Sequence, residues 1–525
     1  MQTRRTVLKT LGVATAGLSV GGSAGARLGR SGVSQVQGVR IGCLQPLAGL
    51  VGRAGKRALE PFYSYFGYRG ADVPAEIRAE EIQFVVDDTT YVIDVRDTAA
   101  GGEDARSLAE EVAADASVLV GGSTTETARA AAEVAAETGT PYLAGPVGDP
   151  TLTGQSDTCA RPVFRAGTTD AMAGVTGARY LAEERDDVGS VYLFYGTSSY
   201  GGAIRRGYES ALESSGITVA GSSSVGPQSN SWSEQLQQAA DAGVDAVVGG
   251  FGANTLPTMV QSYLQADYSF RLVAPWGGEE MAARVGSVLE GELETLSATA
   301  IEEAGIGPFT TRYHWNQYDN DINDSALSVY REAYNRNPGP GAAGMFATAS
   351  ALVQAIEQAG SLDGEALIAE LRRMTIEETL KGQDAYEFRA VDNQATSPMT
   401  AAPVVPTTDD QYWDAAIQPG EPATRIGRDQ TAPPASSATC DLSSDDTTDD
   451  SDSTGDQTER PDGNGSETTE PGSGGNDGTT SDDRETTTSE SGSGEDGPLG
   501  LLVGIAGIAG GLGAAWVHDR TDDEE

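Results

Sequence analysis

Histidine is nearly missing from this chain of 525 residues, with only His314 and His518 present. Neither sits in metal-ligand spacing or beside a nucleophile pattern, so a metal centre and a Ser-His or Cys-His hydrolase both lack support. With only three cysteines the chain is no disulfide-built scaffold. Positive charge is scarce too. Lys plus Arg number 34 against 78 Asp plus Glu, a formal net charge of −44 and a pI near 4.2, which excludes nucleic acid as a natural partner. Aromatic residues make up 6% of the whole and vanish between 441 and 497, a stretch of Asp, Glu, Ser, Thr and Gly. Such a segment cannot bury enough apolar surface to offset chain entropy and reads as an extended acidic stalk.

Two segments point outside the cell. Thr3-Arg4-Arg5-Thr6-Val7-Leu8-Lys9 precedes the mild apolar stretch Leu11 to Ala24, the pattern of a twin-arginine export signal over residues 1–30. No cysteine follows it closely, so lipid attachment is not expected there. An apolar run over 499–517 is long enough, at about 1.5 Å per residue, to cross most of a hydrocarbon core and anchor the chain. Outside the stalk the acidic excess persists with few lysines, resembling the solvated surface of a haloarchaeal protein.

Between these ends, apolar runs of about five residues recur at Val39–Leu44, Val92–Asp97, Ser117–Gly121, Pro141–Ala144, Ser190–Tyr195, Ile217–Gly221, Ala246–Gly250 and Arg271–Ala274. Helical patterns separate them at Ala105–Ala114, Thr125–Thr138, Asp170–Glu184, Tyr200–Ser214 and Ser231–Ala242, the last opening on a Ser231-to-Glu234 capping box. The alternation predicts an α/β fold of parallel sheets covered by helices, and nearly 400 residues exceed one core. Cys43, inside the first apolar run, reads as a small buried hydrophobe. Cys159 and Cys440 either close a disulfide from the middle of the fold to its end or remain thiols.

Ligands of open α/β sheets sit at the carboxyl ends of the strands. There the run ending at Gly121 leads through Ser123, Thr124 and Thr125 into a helix, so main-chain N–H groups and hydroxyls converge where an anion would be held. Ordinary N-capping accounts for the same residues.

The order of such loops adds to this. Gln45-Pro-Leu-Ala-Gly49, Asp97 followed by Asp104 to Val112, the Gly-Ser-Thr-Thr loop, Pro141 to Pro146 before Asp149-Pro-Thr-Leu-Thr153, and Val163-Phe-Arg165 together resemble the extracytoplasmic solute-binding proteins of ABC importers, branched-chain amino acid and amide class. The resemblance implies two Rossmann-like lobes joined by three crossover strands, a type I periplasmic binding protein clamshell. Lobe one would comprise 38–163 plus 302–396, and lobe two 164–301 plus 397–432. It implies no enzyme activity and no cofactor, a small solute and a membrane permease as partners, and a monomeric body. Thr125, with Ser123 and Thr124, matches the hydroxyl loop for a ligand carboxylate; Tyr200 and Phe251 match aromatics that close over it.

The chain departs from the pattern at three points. Trp276 stands where amino-acid binders carry a carboxylate for the ligand ammonium; Gly148 replaces a hydroxyl; Pro146, beside Val147, has no N–H. A buried ammonium left unpaired costs several kcal/mol, so an amide, a carboxylic acid or an aromatic compound becomes a candidate, with Asp149 or Glu279 as remaining charges. Tyr313, Trp315 and Tyr318 are further candidates for the cleft. The rival readings are a sensing receptor ectodomain and, more remotely, a secreted hydrolase using carboxylates.

Overall fold

The computed structural model describes residues 38–443 apart from 50, 100–101, 227–231, 253–254, 409–410 and 435–437. The export signal, nearly all of the expected stalk and the 499–517 run lie outside the described residues. Among the described residues no helix is long and apolar enough to cross a membrane.

The first half of the chain runs β1 (Val39–Gln45), α1 (Gly52–Tyr68), β2 (Glu81–Val86), β3 (Thr89–Asp97), α2 (Gly102–Ala113), β4 (Val118–Gly121), α3 (Thr125–Thr138), β5 (Tyr142–Ala144), α4 (Thr151–Gly154) and β6 (Val163–Arg165). Its six-stranded sheet has the order β2-β3-β1-β4-β5-β6, parallel except for the β2–β3 hairpin. β1 is buried on both faces, as a central parallel strand must be when helices cover both sides. One face packs Phe62, Phe66, Tyr91 and Ile93 into the first core; the other packs Leu119, Ala131 and Leu152.

A second series follows: α5 (Asp170–Glu184), β7 (Ser190–Gly196), α6 (Ser199–Leu212), β8 (Thr218–Val225), α7 (Ser233–Asp241), β9 (Ala246–Gly250), α8 (Thr255–Leu264), β10 (Arg271–Val273), α9 (Glu279–Glu292) and α10 (Ala298–Glu303). Its sheet, β10-β9-β7-β8, is wholly parallel. α5 and α6 approach closely at Gly174 and Gly207, where a Cβ would meet backbone oxygens of the partner helix at 2.3 and 2.1 Å. The expected capping box does not open α7. Trp232, buried in the second core, occupies the N-cap position without a side-chain cap, and Ser231 lies outside the described residues.

The chain then continues through β11 (Phe309–Thr311), α11 (Asp321–Tyr334), α12 (Ala342–Ala359), α13 (Gly364–Leu371), β12 (Thr375–Ile376), β13 (Tyr386–Phe388), β14 (Ala395–Thr396), β15 (Met399–Ala402), β16 (Val404–Pro406), β17 (Ile417–Pro419), β18 (Thr424–Ile426) and α14 (Arg428–Thr431). α11, α12 and α13 pack in the first core with α1, whereas Val404, Trp413 and Ile417 pack in the second. Three passages therefore join the halves: after β6, after β11, and between β14 and β15. The second passage falls later than residue 302, because Leu272 and Gly305–Gly307 exchange backbone hydrogen bonds that keep Ile306 and Phe309 in the second core. At the passages Arg165 is fully buried, donating to Gln394 Oε1, to the Asp149 carbonyl and to Thr153 Oγ1. The body also ends later than expected. Cys440 is disulfide-bonded to Cys159, with Cα atoms 6.1 Å apart, and Leu442 N–H donates to Val391 O at 2.9 Å, so 441–443 lie on the first half rather than in a stalk. Cys43 is buried and unpaired.

Candidate functional site

Both sheets point the carboxyl ends of their strands at one cavity of about 420 Å³. Small-molecule sites run to roughly 300–1,000 Å³, so this one suits a metabolite. The first half contributes the starts of α1, α3 and α12 and the turn after β5. The second contributes the starts of α5, α6 and α9 and the segment around Trp413.

The start of α3 forms as its residue types dictate. Thr124 holds extended φ,ψ and its Oγ1 accepts from Thr127 N–H at 3.1 Å, which fixes the first turn. Thr124 is thereby buried behind the wall, and Ser123 and Thr125 on either side of it line the cavity. Ser123 Oγ donates to Gln45 Oε1, tying the loop to the end of β1. Pro146, Val147 and Gly148 form the neighbouring wall. Gly148 has a structural reason to carry no side chain. A Cβ there would lie 2.3 Å from Asp170 Oδ1, and Gly148 O accepts Asp170 N–H at 2.8 Å. Asp170 in turn is ion-paired with Arg312, which lines the cavity just past β11. Burial, with the like charge of Arg165, pushes the Arg312 guanidinium down to about 10, leaving it cationic at neutral pH.

Tyr200 and Trp276 line the opposite side and are 6% and 7% exposed. Ser198 caps α6 and sets Tyr200 in its first turn; burial raises the Tyr200 phenol, which stays neutral. Trp276 N–H donates to Thr310 O at 2.6 Å, so the ring is carried beside the second passage. Trp413 completes that wall. Its indole N–H donates to Ile417 O at 3.0 Å, and the His314 ring meets Trp413 and Trp276 edge-on at 4.9 and 6.4 Å.

Not every expected residue arrives here. Phe251 turns away from the cavity into the second core, edge-on to Trp232 at 5.6 Å, because the end of β9 aims it between α7 and α8. Tyr313 and Tyr318 stack at 6.0 Å inside the first core, and Trp315 packs beneath Arg331. Asp149 and Glu279 do line the cavity, each already engaged: Asp149 Oδ1 accepts from Thr151 N and Oγ1, and Glu279 Oε1 accepts from Asp414 N–H. The sequence reading missed Arg53, Arg57, Arg312, Asn337 and Trp413. Arg53 follows the first strand's loop, a position that offered a signal; Arg312 lies on the second passage and Trp413 on the loop between β16 and β17, both without periodicity.

The sequence pattern of the periplasmic binding protein family matches residues 38–410, well over half of the chain, and the chain belongs to that family. Membership implies an extracytoplasmic location. Among solved structures, an ABC-type branched-chain amino acid transporter protein of Rhodopseudomonas palustris CGA009 aligns with a TM-score of 0.61 at 20% identity, covering 76% of this chain and 99% of its own. An amino acid ABC transporter substrate-binding protein of Pseudomonas fluorescens Pf-5 gives 0.60 at 18%, covering 78% and 100%. The ABC transporter solute-binding protein of R. palustris BisB5, in complex with 3,4-dihydroxybenzoic acid, gives 0.55 at 17%, covering 74% and 98%. These likenesses establish the fold, two sheets in a type I periplasmic binding protein arrangement. No curated protein matches the chain.

Proposed function

We propose that this chain is the solute-binding component of an ABC importer, capturing a small carboxylate-bearing solute outside the cell and passing it to a membrane permease. The observation that carries the reading is the cavity itself. One side offers Ser123, Thr125 and the N-terminus of α3; the other offers the rings of Tyr200 and Trp276. Hydroxyls and main-chain N–H groups suit a carboxylate, and the rings suit an apolar or planar body. A branched-chain amino acid, an amide and an aromatic acid all fall within this class, and the neighbour holding 3,4-dihydroxybenzoic acid makes aromatic acids natural members of a test panel.

Lobe one comprises 38–163 plus the return up to 396, and lobe two the remainder to 432. Closure of one on the other adds the second set of contacts and shifts the population to the form a permease accepts. The twin-arginine segment exports the chain, the 499–517 run anchors it, and the acidic stalk keeps the body near its permease at high effective concentration. The net charge of −44 fits a haloarchaeal surface protein working in high salt. A thermal-shift screen in molar KCl against amino acids, amides and aliphatic and aromatic carboxylates tests the reading, since a ligand of the folded state raises Tm by mass action. A carboxylate hit whose shift shrinks in Thr125→Ala and Tyr200→Ala supports it; hits indifferent to both substitutions refute the site.

A further inference from the structure

The charge accounting around the cavity is uneven. Arginines of this acidic protein mostly sit beside carboxylates, as do Arg40, Arg69, Arg96, Arg106 and Arg185. Arg53 and Arg57, four residues apart on α1 and both lining the cavity, are less fully engaged. Arg53 is exposed, with no ion pair or hydrogen bond among the described residues. Arg57 reaches Glu60 only at 3.9 Å, and the two Glu60 oxygens already accept from Arg336 and Tyr330. The start of α1, where Gly52 and Ala54 N–H donate to Gly49 O and Val51 O, adds its helix dipole to the positive field. Carboxylates on the cavity wall are mostly engaged: Asp149 by Thr151, Asp170 by Arg312, Glu279 by the Asp414 N–H and Glu280 by Arg284. In a chain with more than two acids per base, Arg53 facing a cavity without a partner and Arg57 beside it sharing one carboxylate with Arg336 mark a place for negative charge from outside.

Resting on the proposed binding of a carboxylate at α3, we infer that Arg53 and Arg57 receive a second anionic group, so that the preferred solute is a dicarboxylate. The first carboxylate sits at Ser123 and Thr125 and the second at the start of α1, while the body lies against Tyr200 and Trp276. Guanidinium forks suit this task because they donate in parallel to both oxygens of one carboxylate.

The test is calorimetric titration of the full chain with two matched pairs, succinate against butyrate and terephthalate against benzoate. The expected result is at least tenfold tighter binding of the dicarboxylate in one pair, a preference that narrows between 0.2 and 2 M KCl. Arg53→Gln with Arg57→Gln lowers dicarboxylate affinity at least tenfold and monocarboxylate affinity less than threefold; Arg57→Lys, which keeps the charge, retains part of the preference. A wild-type chain that binds the monocarboxylates as tightly overturns the inference while leaving solute binding standing. So does an equal loss for both members of a pair in the double variant, which instead assigns the arginines to pairing across the cleft with Asp414. Binding of none of the four acids, with Thr125→Ala without effect on any hit of the wider screen, removes the carboxylate reading and this inference together.

Discussion

The two walls of the cavity are built by different means. On the first, hydroxyls and N–H groups are fixed at the end of the sheet: Thr124 caps α3, and Ser123 is tied to Gln45 at the end of β1. On the second, large rings sit in the second core beside the passages, where Trp276 N–H donates to Thr310 O and the Trp413 indole to Ile417 O. A wall fixed at a helix start of the first half is ready for a polar group before any movement, whereas the rings of the second core move with the second half. The difference assigns orientation of the solute to the first wall and enclosure to the second.

The most damaging way to break that division is to disturb the point where the walls meet. Gly148→Val places side-chain atoms into the space held by the Asp170 carboxylate, splits its pair with Arg312 and is expected to lower affinity by more than a hundredfold in calorimetry. Trp276→Ala empties the enclosing wall. An affinity loss of about ten- to a hundredfold, seen mainly as faster dissociation in stopped-flow fluorescence, is the expected outcome. Thr125→Ala removes one orienting hydroxyl, and about a five- to tenfold loss against any carboxylate hit follows. Thr124→Ala sharpens the contrast: removing the cap should cost about 1 kcal/mol of stability by urea unfolding and weaken binding less than Thr125→Ala does.

Acid should separate two carboxylates, one in each half of the chain. Hydrogen bonds from Arg96, with Arg40 adding its charge, hold the Asp94 carboxyl below its ordinary value of 3.8. Its contribution is therefore present above about pH 4 and fades as pH falls further. Asp187, beside Arg185, is lowered to about 2 but is largely exposed, where such a pair is worth little. Asp94→Asn should flatten the fall in the urea midpoint between pH 5 and pH 3, and Asp187→Asn should leave it unchanged.

Much of the fold was readable along the chain because its strands are buried on both faces. Val118–Gly121 and Ala246–Gly250 are continuous apolar runs, and α3 and α5 begin at the residues their caps announce. β2 escaped that reading. Its Glu81, Gln83 and Val85 are exposed at a sheet edge, and the tight turn into β3 is made by Asp87 and Asp88 at positive φ rather than by a glycine. Within the site, Ser123, Thr125, Pro146, Val147, Gly148, Tyr200 and Trp276 were legible because each follows a recognisable strand. Phe251 was not, although it also follows one: a single residue past the strand end, rotation about the backbone decides between cleft and core, and no pattern in the neighbouring residues records that choice.

By itself, the order of residues determined the alternation of strands and helices, the acidic surface and the capped helix starts, since all of these depend on neighbours within a few positions or on composition. Folding alone decided that Arg53 and Arg57 meet Thr125 and Trp276 around one cavity, that Asp170 excludes any side chain at Gly148, and that Cys440 returns to Cys159. Those relations join residues up to 281 positions apart, and only the packing of two cores about three shared passages brings them within contact.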